Sequence, residues 1–586
     1  MTKRWTLPPD RTSAARSLAT SLGVAEPTAL LLANRGLTEP EDARRFLQPS
    51  LHELEDPCRH EAVTAAAAFL HEAVLARRRI AVFGDFDADG ICAAALLMRC
   101  LRQAGADVEL YIPHRIDEGY GLSCEALEQL AAGGVQVVVT VDCGVTALEP
   151  AACARALGLD LVVTDHHEPG EELPAAAHIL NPKLPGQEFG YRYLAGVGVA
   201  FKLVWALGQQ MSVGHRVSDE FRELMMESLS LVALGTVADV VPLLEENRVL
   251  AHFGLRALAA PSTPGLRALV AAGRLRGERV TAEDVGFRLA PRLNAAGRMG
   301  DARAAVEMLM TDDEQHAAEM VAHLEAQNRL RIATQRAAVR QAHDMLEADP
   351  ALSEASCIVL ASPEWHQGIV GLVASRLAEH YWRPAFVFAV DGEVACGSAR
   401  GVPGCSMFAI VSRCADLLTR YGGHAGAAGM TLPTRNLPAF TERVNEAARA
   451  HMGAAPPPPE LPVDGWIALQ TLTPALVHEM GLLGPFGAGN PQPLFAASGL
   501  RLVGNGRTVG SNGNHLAFMV RQDRTTLRAI AMGRAEWLPE LRARKGEPFS
   551  LAFQPGLDYY QRTAAVELRV QDFQWDDDPQ VERRAE

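Results

Sequence analysis

Ile80-Ala81-Val82-Phe83-Gly84-Asp85-Phe86-Asp87-Ala88-Asp89-Gly90 is the stretch that decides the fold. A short apolar run bounded by glycine reads as a buried strand. Three aspartates spaced two apart follow it, at the strand's C-terminal end. Two further strand-like runs do the same: residues 135–141 deliver Asp142, and residues 161–164 deliver Asp165, His166 and His167. Ligands of open α/β sheets bind in the crevice beyond the carboxyl ends of the strands, so the pattern predicts a metal-dependent active site there.

The surrounding chain fits that reading. Its 586 residues, 48% of them hydrophobic, are enough for three or four domains of about 100 to 200 residues each. Residues 1–75 carry Ala- and Leu-rich helical periodicity and predict a helical lead-in. From residue 79 to about 207 short β-branched runs alternate with helical stretches, and 215–310 read as mostly helical, which together predict an α/β catalytic domain over 76–310 with a mainly parallel sheet. Within it, residues 235–239 read as a loop that presents Asp239 as a further ligand. Residues 312–348 contain neither Gly nor Pro and predict one long connecting helix over 311–350. A second α/β domain is expected over 351–455, a stiff linker at Pro456 to Pro459, and a small β-barrel over 460–575. The acidic segment 576–586 predicts a disordered tail.

Composition excludes several classes. No apolar stretch of about 18 residues occurs, so no membrane helix is expected. The first 16 residues mix charges with Pro8 and Pro9, unlike a signal peptide, and the expected location is the cytoplasm. Ten cysteines lie singly, without a CxxC pair to suggest structural zinc or redox chemistry. A net charge of −15 is unusual for a nucleic-acid-binding protein. A divalent-metal site needs carboxylates, however, and arginines can still line a single channel; Arg77 to Arg79, Arg115, Arg292, Arg298, Arg303, Arg329 and Arg331 are candidates, against the blander reading of solvated surface arginines.

Blander readings of the aspartate cluster fall short. An EF-hand loop starting at Asp85 would need a glutamate at its twelfth position, where Leu96 stands. Helix capping explains one aspartate of the three. Carboxylates mixed with imidazole suit Mn2+, Mg2+ or Zn2+, and the lack of thiolates favours Mn2+ or Mg2+. Four carboxylates with one or two histidines exceed the needs of one ion, so two ions about 3.5 to 4 Å apart are expected, an arrangement that hydrolyses phosphoesters.

Other segments leave two readings each. Gly422-Gly423-His424 lets backbone N–H groups approach a phosphate, with His424 as a donor, but a glycine-rich loop alone is a weak signal. His366 suits a substrate contact or a packing role. Arg115, Glu118 and Tyr120 line a strand's path, with Tyr120 offering a stacking face, or simply pack.

Asp165-His166-His167 with Asp85-Phe86-Asp87-Ala88-Asp89 resembles the name and first motifs of the DHH phosphoesterase superfamily. Asp142 in Val-Asp-Cys-Gly resembles its second motif, Asp239 its fourth, and residues 422–427 the glycine-rich motif of the associated DHHA1 domain. Within the superfamily the chain resembles the RecJ family, through Pro291-Arg292-Leu293-Asn294-Ala295-Ala296-Gly297-Arg298, Trp365-His366-Gln367-Gly368-Ile369-Val370-Gly371, Gly397-Ser398-Ala399-Arg400-Gly401 and, in an OB-like segment, residues 485–491. Two departures are mild: Phe86 replaces a usual tyrosine and Ala399 a frequent glycine.

The resemblance implies a 5′-to-3′ exonuclease specific for single-stranded DNA, acting in recombination and repair. It implies metal ligation by Asp87, Asp89, Asp142, His166 and Asp239, with Asp85 and His167 in or beside that shell and His167 alternatively on the scissile phosphate. Asp142, His166 and His167 are the expected catalytic residues. Two divalent cations, Mn2+ or Mg2+, are the expected cofactors. Arg298, Ser398 and Arg400 are implied to hold the 5′ phosphate, with Gly423, His424, Arg115 and Tyr120 as further DNA contacts. The implied partners are single-stranded DNA, a helicase and a single-stranded-DNA-binding protein, with no membrane. Two rivals remain: a DHH phosphatase of short oligonucleotides or cyclic dinucleotides, and a non-catalytic replication or repair adaptor.

Overall fold

The computed structural model describes residues 3–577 apart from 188, 213–216, 276–278, 453–456, 511 and 559–564. The tail expected over 576–586 therefore lies outside the described residues from 578 onward. Asp576 itself is held, accepting from the Gly499 backbone N–H at 3.0 Å and from the Ser550 hydroxyl at 2.6 Å. Two compact units divide the chain, residues 51–457 and residues 1–50 with 458–586.

The first unit is built on a five-stranded parallel sheet: β1 (Ile80–Gly84), β2 (Val108–Tyr111), β3 (Val137–Val141), β4 (Asp160–Thr164) and β5 (His178–Leu180), in the order β2-β1-β3-β4-β5. Both faces are covered. Ile80, Val82, Val137, Val139 and Val162 belong to one apolar core, whereas the alternating Ala81, Phe83, Val138, Leu161 and Val163 belong to another. This is why the runs are continuously apolar rather than alternating. Each fully buried Val or Phe contributes about 1.5 to 3 kcal/mol relative to exposure.

Helices α1 (Glu61–Leu75), α2 (Ala88–Gln103), α3 (Gly196–Gln210), α4 (Asp219–Ala238) and α5 (Glu245–Ala259) fill the larger core. Helix α4 corrects one expectation. Residues 235–238 are its last turn rather than a loop, and Asp239 is its C-cap residue. Val232, Ala233 and Leu234 are fully buried, and this packing carries the helix past Gly235 despite that residue's poor propensity.

After α6 (Ala290–Met299), the connecting helix α7 runs as Glu314–Ala348, capped by Asp313, whose side chain accepts from the His316 N–H. Its first half buries Val321 and Leu324 in the catalytic core, and its second half buries Ala342 and Leu346 in the core of the next domain. That domain has a five-stranded sheet, β6 (Ile358–Ser362), β7 (Ala385–Asp391), β8 (Val394–Arg400), β9 (Arg420–Gly423) and β10 (Ala427–Pro433), in the order β9-β10-β8-β7-β6. Only β6 and β7 pair in parallel. Helix α8 (Val370–Tyr381) covers it.

The second unit holds the barrel: β11 (Gly465–Trp466), β12 (Phe495–Val509), β13 (His515–Gln522), β14 (Thr525–Ala531), β15 (Phe549–Asp558) and β16 (Ala565–Trp575), in the order β11-β12-β13-β14-β16-β15. Pairing of β12 with β15, Phe495 opposite Phe553, closes it. The helical stretch expected over residues 1–75 is split between the units. Arg4–Thr6 pairs in parallel with Glu460–Pro462, and Leu18, Leu31 and Leu32 share the barrel's core with Leu476 and Leu483, while α1 belongs to the catalytic core.

Candidate metal centre and anion pocket

Each candidate ligand is delivered by the end of an element. β1 ends at Gly84, and Asp85 folds back so that its carboxylate accepts its neighbour's Phe86 N–H at 2.7 Å. Asp87 is the N-cap of α2, accepting from Asp89 N–H at 2.9 Å and Gly90 N–H at 3.2 Å. Asp89, in that helix's first turn, accepts from Gly196 N–H at 2.7 Å and Val197 N–H at 3.0 Å, the orphan donors that open α3. Asp142, just past β3, has a left-handed backbone, φ 64°, which is unusual for a non-glycine residue and costs strain. A Cβ at Gly196 would lie 2.4 Å from the Asp142 carboxylate, so only glycine allows α3 to start this close.

His166 stands at the middle of the cluster. Its Nε2 lies 3.1 Å from Asp142 Oδ1, 3.6 Å from Asp239 Oδ2 and 3.9 Å from Asp89 Oδ2. The ring hydrogen-bonds to the backbone of Leu194, and its Nε2, facing carboxylates, has no hydrogen-bond partner. Burial first, then the nearby His167, lower its pKa to about 3, so the imidazole is neutral. Burial and mutual repulsion push Asp85, Asp89 and Asp142 well above the ordinary carboxylate range, and Asp239 up to about 7. Asp142 Oδ1 and His166 Nε2 are both buried without a hydrogen-bond partner. Closely set acceptors, two of them without a donor, are what a cation fits, and it would displace the protons that burial and mutual repulsion keep on the carboxyls. Three overlapping trios, Asp85 with Asp87 and Asp142, Asp89 with His166 and Asp239, and Asp142 with His166 and His167, each bring possible ligand atoms within 4.8 Å of one another.

Asp165 has a different role. Its carboxylate accepts from the N–H groups of His166 at 2.7 Å, His167 at 3.1 Å and Val145 at 2.9 Å, and lies 2.7 Å from His167 Nδ1. Burial opposes charge on His167, but that hydrogen bond and the charge of Asp165 outweigh it and lift its pKa to about 9. Tyr120 Oη is 3.4 Å from both His167 Nδ1 and the Asp142 carbonyl, and the residue is 46% exposed, so it borders the cluster with one open face. Glu118, by contrast, is used locally, accepting from Tyr111 at 2.5 Å and His114 N–H at 2.7 Å.

Beside the carboxylates lies a cluster of guanidinium groups. Arg298 is pushed down to about 9 by burial and then by Arg115, Arg331 and Arg400, all near enough to repel it. Arg400 donates to the Ser398 hydroxyl and the Ala399 carbonyl, both at 2.8 Å, and Arg298 to the Gly368 carbonyl at 3.1 Å. Arg115 covers the Phe86 ring at 4.6 Å and feels the charges of Asp85 and Asp87. Among the described residues, Arg115, Arg298 and Arg400 have no carboxylate at ion-pair distance, so their shared positive charge is open to an anion. The loop with Gly423 and His424 adjoins this pocket: Gly426 accepts from Gly401 N–H, next to Arg400, at 3.0 Å, and His424 Nδ1 accepts from Gly426 N–H at 3.2 Å.

Some candidates are not brought in. Arg292 pairs with Glu325 at 2.6 Å and donates to the Ala272 carbonyl, which fixes α6 to α7. His366 closes a turn by accepting Gly368 N–H at 3.0 Å. Other contributors escaped sequence reasoning. Asn294 accepts the Ala88 N–H at 2.8 Å, and Asn181, fully buried, donates to the His167 carbonyl at 2.8 Å. Lys183 sits close enough for its charge to bear on His166 and Asp239. Asn294 could have been found, since it lies within the 291–298 stretch; Asn181 and Lys183 follow β5 with no distinguishing pattern.

Residues 79–236 match the DHH family N-terminal domain, 354–450 the DHHA1 domain and 463–572 the RecJ OB domain. The single-stranded-DNA-specific exonuclease RecJ of Bacillus subtilis is 36% identical over 538 residues, 91% of this chain, which spans 66% of that protein. The Dickeya dadantii exonuclease of the same name is 37% identical over 501 residues, 84% of this chain and 86% of its own. The crystal structure of RecJ from Thermus thermophilus in complex with Mn2+ superposes with a TM-score of 0.81 at 32% identity, covering 97% of this chain and 79% of that one. A Mg2+ complex from the same source gives 0.74 at 30% identity, covering 97% of this chain and 78% of that one. Matched domain by domain and across most of its length, the chain belongs to the RecJ family of single-stranded-DNA-specific exonucleases.

Proposed function

We infer that this protein degrades single-stranded DNA from its 5′ end to mononucleotides, with two divalent cations, Mn2+ or Mg2+, as cofactors. The observation that carries the reading is the adjacency of two features: a carboxylate and imidazole cluster whose Asp142 Oδ1 and His166 Nε2 are buried without partners, and a pocket of three guanidiniums without carboxylate partners among the described residues. Asp85, Asp87 and Asp142 would hold one cation, and Asp89, His166 and Asp239 the other. When bound, such ions lower the pKa of water and neutralise charge on a phosphoryl group.

The chain's own residues supply the rest. Arg298, Arg400 and Arg115, with the Ser398 hydroxyl, hold the terminal 5′ phosphate, and this fixes direction and register. His167, whose Nδ1 is committed to Asp165, holds its other proton at Nε2 and donates it as a hydrogen bond to the scissile phosphate. Gly423 and His424 border the same strand. Tyr120 offers its open face to a base. The barrel adds a binding platform of the kind that takes single strands through groove charge and stacking. Work on duplex DNA would need a helicase and a single-stranded-DNA-binding protein, in the cytoplasm, in recombination and repair. No helix of the described residues is long and apolar enough to cross a membrane.

A time course on long 5′-labelled and 3′-labelled single strands, run with Mn2+ beside Asp142→Ala, tests the reading. Early release of the 5′ label as a mononucleotide and an inactive variant are expected. Survival of long strands with loss of di- to tetranucleotides would favour a small-substrate phosphatase. Binding without cleavage would favour an adaptor.

A further inference from the structure

Three of the cluster's side chains lean on one short segment, residues 190–197. The Leu194 backbone hydrogen-bonds to the His166 ring, the N–H groups of Gly196 and Val197 hold Asp89, and Gly196 lies against Asp142. The segment has no regular structure before α3 begins at Gly196, so something else must fix it. Two consecutive buried residues at the start of α5 do so. Glu246 Oε2 accepts Tyr191 N–H at 3.0 Å, and its Oε1 accepts Glu55 N–H at 2.6 Å. Lys202, itself 1% exposed, neutralises that carboxylate at 2.6 Å and donates to the Glu55 carbonyl at 2.6 Å. Gly190 fits against Glu246 only because it has no side chain: a Cβ there would lie 1.9 Å from Oε2. Asn247, fully buried, uses both protons of its amide nitrogen, one on the Tyr193 carbonyl at 2.6 Å and one on the Pro242 carbonyl at 3.1 Å.

The second of those bonds reaches the other side of the centre. Pro242 is three residues beyond Asp239, and Val240 between them has a left-handed backbone, φ 64°. Asn247 thus ties the segment that carries Asp89's and His166's supports to the segment that carries Asp239. Neither Glu246 nor Asn247 is within ion-pair or hydrogen-bond reach of any ligand carboxylate or imidazole. We propose that Glu246 and Asn247 are positioning residues of the metal centre, which set the spacing of the Asp89, His166 and Asp239 trio through the backbone of residues 190–197 and 239–242. The Asn247 amide nitrogen bonds two backbone segments at once and so fixes their spacing, although its Oδ1 is buried without a partner, and loss of outer partners of a metal site costs typically about 10 to 100-fold in affinity.

The proposal rests on the metal-centre reading above, and its test separates the two. Mn2+ is titrated calorimetrically into the metal-stripped full chain, and into Asn247→Leu, Glu246→Gln and Asp142→Ala, with melting temperatures in EDTA and single-strand binding in EDTA recorded in parallel. Both positioning substitutions keep the number of side-chain heavy atoms. Expected are a folded Asn247→Leu protein that binds DNA in EDTA as the wild type does, and an apparent Mn2+ dissociation constant for at least one trio weaker by about 10 to 100-fold. Glu246→Gln should show the same loss through the other residue, and it decides the matter if Asn247→Leu does not fold. Wild-type Mn2+ affinity in a folded variant would overturn the proposal and reduce both residues to structural ones. Failure of the wild type to bind Mn2+ more tightly than Asp142→Ala would instead overturn the metal-centre reading itself.

Discussion

His167 Nδ1 lies 2.7 Å from Asp165 Oδ1, and the same oxygen also accepts the His167 backbone N–H. The aspartate of the Asp165-His166-His167 triplet is therefore committed to orientation rather than ligation. Asp165→Asn should leave the fold and the trio containing His166 in place but lower kcat by about 10 to 100-fold, as loss of an orienting partner commonly does. The His167 titration, read by NMR, should fall from about 9 toward the ordinary histidine range. An unchanged titration would show that Asp165 does not hold the ring.

The anion pocket makes a prediction about ends. Arg400→Ala and Arg298→Ala should each weaken binding of 5′-phosphorylated single strands about tenfold or more, the scale of a charge-assisted hydrogen bond. The same variants should bind 5′-hydroxyl strands nearly as the wild type does. The slope of log affinity against log salt should drop by about 0.7 for each phosphate that a variant no longer neutralises. Equal weakening on both kinds of end would place the pocket elsewhere on the strand.

Arg292 supplies the contrast. Paired with Glu325 and bonded to the Ala272 carbonyl, it fastens α6 to α7. Arg292→Leu should lower the melting temperature, because Glu325 is left partly buried and unpaired. Its salt slope for single-strand binding should match the wild type, and a reduced slope would return Arg292 to the DNA path.

Proton and metal binding should compete at the cluster. Asp239 in the folded chain titrates near 7, above the unfolded carboxyl value, and His167 near 9, above the unfolded imidazole value. A group with a raised folded pKa stabilises fully below its unfolded value and loses that contribution as pH rises through the folded one. The Asp239 contribution fades from about pH 4 to 7 and that of His167 from about pH 6.5 to 9; His166, lowered on folding, works the other way up to its unfolded value and adds no slope above about pH 7.5, so from about pH 7.5 to 9 only the His167 contribution is still fading. Metal-free protein should therefore lose thermal stability across that window. The stabilisation by Mn2+, measured as the difference in melting temperature from EDTA, should grow over it. A Mn2+ effect constant across that range would contradict this.

Much of the centre was legible in the sequence because ligands at strand ends leave a local signature: an apolar run, then carboxylates. Asp85, Asp87, Asp89, Asp142 and His166 all carry it, and the structure gathers them. Asp239 was legible as a carboxylate but not as a helix end, since Gly235 suggested a break that burial of its neighbours overrides. Asp165 could not be told from a ligand, because its role depends on hydrogen bonds to three backbone groups. Glu246 and Asn247 look like ordinary residues of a helix start. The association of residues 1–50 with the barrel comes from Arg4–Thr6 pairing with Glu460–Pro462 and from Leu18, Leu31 and Leu32 in the barrel's core, partners far away along the chain that nothing local records.

The connecting helix α7 has a consequence for torsion. It rises about 50 Å as one uninterrupted α-helix, and its two ends are anchored by Leu324 in one core and Leu346 in the other. A helix of this kind transmits angle as well as length. A single residue added between Asn328 and Ala338 would turn one anchor against the other by about 100°, at a cost in length of only about 1.5 Å. Arg400 would swing away from Arg298, and the pocket would open although every side chain lining it remained. Four added residues, a little more than one full turn, would bring the two nearly back into phase at greater separation.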